Sequence, residues 1–165
     1  MRTISLILLV NCALFLNAQS SVQLGGMSWS CAQERDYLVM KLYAPTTGWL
    51  GVGFNHHNNI VHSDLLLFNV RDGQVNKQDM YVRGIGDPQL DSHLGGSTDV
   101  EIIAFEETAE HTFICFRRPY QVDDRFDFSL VRDQEFWLIL AYSIDDDFRH
   151  HSRMRQHQKV VFKPE

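Results

Sequence analysis

No stretch of the sequence carries the twelve or more residues of amphipathic period that a substantial helix needs, which excludes a helical bundle. Catalytic signatures are missing too. There is no GxSxG elbow, no HExxH helix and no glycine-rich phosphate loop feeding a helix, which argues against nucleophile-centred, zinc-protease and phosphate-loop chemistry. Basic residues are scarce, 15 Lys and Arg against 21 Asp and Glu, for a formal charge of −6. A nucleic-acid surface needs concentrated Lys and Arg, so that partner is excluded. The single basic cluster, 149–163, is mixed with His and follows Asp145, Asp146 and Asp147. Cysteine is limited to Cys12, Cys31 and Cys115, whose spacing rules out a CxxC redox dithiol. After the first residues no apolar run approaches the roughly 20 needed to cross a bilayer, so no membrane insertion is expected of the mature chain.

What is present begins with a leader. Residues 1–18, MRTISLILLVNCALFLNA, join a basic start at Arg2 to an apolar run from Ile4 to Leu16, the pattern of a secretory signal peptide with cleavage expected after Ala18. The protein is therefore expected to be secreted or periplasmic, and residues 19–165 to form a single domain. The mature charge falls to −7, because Arg2 leaves with the leader. In an oxidising compartment Cys31 and Cys115, each in a strand-like segment, are expected to form a disulfide, the alternative being two separate buried thiols.

Short strands follow one another along the rest. Residues 26–32 and 35–43 open the set, and Trp49-Leu50-Gly51-Val52-Gly53-Phe54 is a strand whose glycines permit close approach by a ring, a neighbour or a ligand. Asp64 to Val70 is almost continuously apolar and predicts a strand buried on both faces. Asp72-Gly73 is the strongest hairpin signal and leads into the 75–83 strand. Segments 100–105, 112–116, 126–131, 136–142 and 159–162 complete an all-β pattern of a sandwich or barrel. Glycines and Pro88 make 84–96 an irregular stretch.

Eight histidines stand at 56, 57, 62, 93, 111, 150, 151 and 157, grouped mainly in 56–62 and 150–157. Imidazole is a common ligand of haem iron and transition metals, so two loops meeting at one end of a sandwich would supply one ligand each, and copper or zinc at surface histidines is a further option. Adjacent residues of an extended chain point opposite ways, so one of His56 and His57, and one of His150 and His151, would face such a site. The alternative is solvated loop residues. Among the carboxylates, Asp64, Asp79, Asp91, Asp123, Asp124 and Asp127 stand out. The last three suit calcium or, more simply, turn capping and solubility.

GWLGVGFN, SDLLLFNVRDG, QDMYVRG, DPQLD, CFRRPYQVDDRFD and HHSRMRQHQKVVF follow the order seen in DOMON domains, which the chain resembles over roughly residues 27–163. The most specific portion is Arg118-Pro119 with Asp124 and Asp127, supported by Gly48-Trp49 and Asp64. DOMON modules accompany the copper domains of dopamine β-monooxygenase-like proteins and form the cytochrome domains of sugar dehydrogenases. The resemblance implies an immunoglobulin-like antiparallel β-sandwich of about ten strands. It also implies b-type haem held between a Met and a His, for electron transfer or redox sensing. His151 matches the late ligand, with Arg155 four residues on and His150 as the near alternative; the Met position holds Ile60. His62, His57 or His56 would then substitute and give bis-histidine ligation, which favours ferric iron. Trp49 and Phe54 would line the pocket or the core, while Met40 and Met80 are expected as core fillers. The resemblance implies no monooxygenase activity by this chain alone, since the family's enzymes carry that chemistry on a separate copper domain. It equally allows a cofactor-free module binding a carbohydrate or an extracellular protein, and a redox partner for the haem form.

Overall fold

The computed structural model describes residues 20–163; the leader and its expected cleavage site lie outside the described residues. Eleven strands are described: β1 (Ser20–Leu24), β2 (Met27–Glu34), β3 (Tyr37–Ala44), β4 (Leu50–Asn55), β5 (Asp64–Arg71), β6 (Gln74–Gly84), β7 (Asp87–Leu90), β8 (Glu101–Glu107), β9 (Thr112–Pro119), β10 (Glu135–Tyr142) and β11 (Met154–Val161), with one helical turn, α1 (Asp91–Leu94), after β7. They form two antiparallel sheets, β1-β2-β3-β9-β8 and β11-β10-β4-β5-β6-β7. The architecture is the immunoglobulin-like sandwich that the resemblance implies, and of the sandwich and the barrel left open by the strand pattern it is the sandwich. No helix among the described residues is long and apolar enough to cross a membrane.

Period-2 alternation builds the core. Val52 and Phe54 of β4, Leu66 and Phe68 of β5 and Leu138 and Leu140 of β10 face Trp29, Met40, Leu42, Ile114 and Phe116 of the opposite sheet. Rings cross the gap: Phe68 and Phe116 lie 4.8 Å apart, and Trp29 meets Phe54 edge-on at 6.3 Å. Each such fully buried side chain contributes roughly 1.5–3 kcal/mol. The β5–β6 hairpin turns at Asp72 and Gly73, with φ of 54° and 70°, the double positive φ that Asp-Gly supplies. At the free ends of the two sheets, Ser20 Oγ donates to the Val161 carbonyl (3.4 Å) and accepts from the Lys163 amide (3.5 Å), so β1 is tied to the end of β11.

Three expectations are corrected. Cys31 and Cys115 form no disulfide. Cys31 pairs in register with Met40, whereas Cys115 pairs with Lys41, so the two thiols lie two strands apart on opposite faces of the sheet. Two strand spacings come to about 9.6 Å, beyond the reach of a disulfide even without the opposed side-chain directions. Both are buried, and burial pushes the Cys31 thiol up to about 12. Segment 126–131 is not a strand, although Phe128 and Leu130 are buried as alternation requires. Its ladder groups are taken by side chains: the Phe128 amide donates to Asp64 (2.8 Å), and the Phe128 carbonyl accepts from Arg118. Within 84–96, finally, the chain orders a short edge strand, β7, against β6.

Candidate functional site

The six-stranded sheet is apolar on its outer face as well. Leu65 and Leu67 of β5 stand opposite Met80 and Gln78 of β6 on one side and Gly53 and Gly51 of β4 on the other. Gly53 and Gly51 in turn pair with Ile139 and Ala141 of β10. Leu65, Leu67, Met80 and Ala141 of this row form a second hydrophobic cluster with Trp49, Leu90 and Phe148. A Cβ on Gly51 would stand 2.5 Å from Leu67 Cδ2, so that glycine serves the packing of the floor. Met80 is buried as expected of a core filler, within this outer cluster.

A strap, residues 143–153, crosses the floor. It is pinned by the Trp49 amide to the Asp145 carbonyl (3.1 Å), the Ser143 amide to the Trp49 carbonyl (2.8 Å), Asn69 Nδ2 to the Asp146 carbonyl (2.6 Å) and Trp49 Nε1 to the His150 carbonyl (3.3 Å). Gly48 makes the approach possible: a Cβ there would lie 2.5–2.6 Å from backbone atoms of Ser143, Ile144 and Asp145. Between floor and strap lies a cavity of about 650 Å³, lined by Leu65, Leu67, Met80 and Ile139 below and by Phe148, His150 and His151 on the strap, with Ile60 and Arg155 at its margin. That volume falls within the range of sites for large organic cofactors.

The predicted ligands separate here. His150 and His151 line the cavity, as do Ile60 and Trp49. His150 Nδ1 approaches Asp145 (3.5 Å) and Asp147 (3.9 Å), whereas no hydrogen bond engages the His151 ring among the described residues. The 56–62 histidines lie outside the lining. His62 has φ of +69° and its Nδ1 meets the Tyr81 hydroxyl at 3.0 Å; His56 packs on Phe128 with ring centroids 4.6 Å apart; the exposed His57 donates its backbone amide to Asn55. His62 is thus not among the residues that line the cavity with His151.

A different constellation sits on the inner face of the same strands. Arg118 (1% exposed) donates from Nη1 to Asp64 Oδ2 at 2.6 Å and lies 3.8 Å from Asp127, with its guanidinium carbon 5.1 Å from the centre of the Phe54 ring. Asp64, Asp79 and Asp127 each bring an oxygen within 4.8 Å of the others. Asp64 (2% exposed), Asp79 (3%) and Asp91 (0%) are buried, and six carboxylate oxygens of this group have no hydrogen-bond partner: Asp64 Oδ1, both of Asp79, both of Asp91 and Asp127 Oδ2. Burial, then repulsion from Asp64, Asp127 and Asp91, pushes the Asp79 carboxyl up to about 8. Burial, then Asp64, takes Asp91 and Asp127 each to about 7. Asp124 is a capping residue, accepting from the Ser97 amide (2.6 Å) and the Phe126 amide (2.9 Å). The sequence signal for this cluster is an acid on the apolar phase of a strand, Asp64 alternating with Leu66 and Phe68.

Residues 23–143 match the family model of the DOMON domain. The chain belongs to the DOMON family. Among curated proteins this DOMON domain is 29% identical over 121 residues to DBH-like monooxygenase protein 2 of Mus musculus, covering 73% of the chain and 19% of that protein. It is 28% identical over 109 residues to MOXD1 homolog 2 of Drosophila melanogaster, covering 66% of the chain and 14% of that protein. The chain thus spans less than a fifth of either relative. Its fold matches the cytochrome b domain of pyranose dehydrogenase from Coprinopsis cinerea, with a TM-score of 0.61, 11% identity and coverage of 82% of this chain and 76% of that one. It also matches the cytochrome domain of Myriococcum thermophilum cellobiose dehydrogenase, with a TM-score of 0.57, 13% identity and coverage of 84% and 75%.

Proposed function

We propose that the cavity under the strap is a site for b-type haem and that this DOMON domain, exported by its leader, relays electrons or senses redox state without catalysis of its own. The observation that carries the reading is a histidine-bearing strap held over an apolar floor, with a cavity of about 650 Å³ between them. The donor set fits the group: the lining offers the imidazoles of His150 and His151 and one thioether, Met80. When bound, haem would supply a one-electron couple. His151 would hold the iron, because its ring is not engaged elsewhere; His150 is turned to Asp145 and Asp147. Leu65, Leu67, Ile139 and Phe148 would exclude water from such a group and so tune its potential, and Arg149 and Arg155, also in the lining, would suit its anionic edge. Ile60 donates nothing, so any second ligand from the lining is Met80, and a redox partner would approach the open strap side.

Absorption spectra of the exported protein with added haem, oxidised and after dithionite, test this. A sharp Soret band that His151→Ala removes, and that Met80→Leu shifts toward a five-coordinate form, is the expected outcome. Aromatic absorbance alone, unchanged by haem, would end the reading. Ile60 favours a second one: with the family's Met replaced, the cavity serves a cofactor-free module that binds a carbohydrate or an extracellular protein, for which glycan arrays and pull-downs are the tests.

A further inference from the structure

Four carboxylates and one guanidinium meet at the inner end of the sandwich, and the single positive charge cannot satisfy them. Arg118 reaches Asp64 and approaches Asp127, but Asp79 and Asp91, each more than nine-tenths buried, have no hydrogen-bond partner for any of their four oxygens. Leaving a buried polar group unmet destabilises the fold, and more so if the group is charged. The acids also come from four separate parts of the chain: Asp64 opens β5, Asp79 lies in β6, Asp91 follows β7, and Asp127 belongs to the irregular segment after β9. Nothing local requires acids at these places; an apolar residue at Asp79 would continue the inner face.

We infer that Asp64, Asp79 and Asp127, with Asp91 beside them, form a calcium site that clamps the 120–131 segment and the β7 end to the sheet. Three oxygens within 4.8 Å of one another fit around one ion at calcium's 2.3–2.6 Å contact distance, and a cage made of protein carboxylates suits calcium better than magnesium, which dehydrates reluctantly and keeps several waters. An all-oxygen set without His or Cys selects a hard cation over zinc or copper. Formally, four carboxylates and Arg118 carry −3, and a divalent ion brings this near neutrality. The ion would do for 120–131 what a strand ladder does elsewhere, since that segment has given its Phe128 backbone groups to Asp64 and Arg118. The site is separate from the haem pocket, so the test uses haem-free protein and its failure leaves that reading untouched.

Full-length protein stripped with EDTA is titrated with CaCl2 by calorimetry at neutral pH, and its Tm is compared in EDTA and in about 5 mM CaCl2, which exceeds the roughly 0.1–1 mM dissociation constants of extracellular calcium modules. Calcium is expected to bind with measurable heat and raise Tm by about 5 °C, with a smaller response to MgCl2. Asp79→Asn and Asp91→Asn, which keep side-chain shape and relieve repulsion, are expected to stay folded in EDTA and weaken calcium at least about 10-fold, while Asp133→Asn on an exposed turn changes nothing. Absence of heat and of any Tm shift in the unaltered protein overturns the proposal. So does an undiminished response in both Asn variants, or an equal response to magnesium.

Discussion

The two faces of β5 and β6 invert the usual order of a half-exposed sheet. Asp64 and Asp79 project inward while their neighbours Leu65 and Met80 project outward, so at this end charge is enclosed and hydrocarbon lines the open face. Toward the other end of β5 the expected arrangement returns inside, with Leu66 and Phe68 in the core. The difference teaches that the two sides of one strand pair are under separate demands. The inner end has charge that must be compensated; the outer face has apolar surface that must be covered.

The sharpest way to break the inner side is Arg118→Met. It leaves four buried acids without their cation and is expected to cost about 3–5 kcal/mol in urea unfolding, the range for one partner lost from a buried pair. An effect below about 1 kcal/mol would mean that the acids are held as neutral carboxyls and that the charge contrast between the faces is absent. On the outer side, Gly48→Ala is expected to cost about 1–3 kcal/mol, because the new methyl meets backbone of the strap. It should also reduce haem uptake, whereas Arg118→Met, at temperatures where it stays folded, should not. The smallest effect is at His157, on β11 opposite Ile139 and therefore on the outer side. Burial, then Arg155, lowers its pKa, so the unfolded chain binds a proton that the folded chain resists. Stability should fall as pH drops through the ordinary histidine value of about 6.5, and His157→Gln should flatten that slope in chemical denaturation.

Much of the sandwich is legible in the sequence because alternation is a local property. Residues 35–43, 49–54 and 64–70 can be assigned by reading neighbours, and Asp72-Gly73 announces its own turn. Segment 126–131 misleads for the opposite reason. Its side chains alternate as in a strand, but the groups that capture its backbone, Asp64 and Arg118, are distant in sequence. The site divides the same way. Tandem histidines at 150–151 are visible as candidate ligands, yet their place on a strap over an apolar floor depends on Gly48 meeting Ser143–Asp145 across the fold. His62 looks equivalent in the sequence, but its positive φ and contact with Tyr81 turn it away. The acids were visible one by one; their convergence was not, because each comes from a different element.

The tie between Ser20 and the Val161–Lys163 end has a consequence for architecture. Chain enters and leaves this sandwich at one corner, so the domain can sit within a longer polypeptide as a side branch, adding almost nothing to the distance between the segments that flank it. A module wired in this way can be gained or lost between neighbours without respacing them.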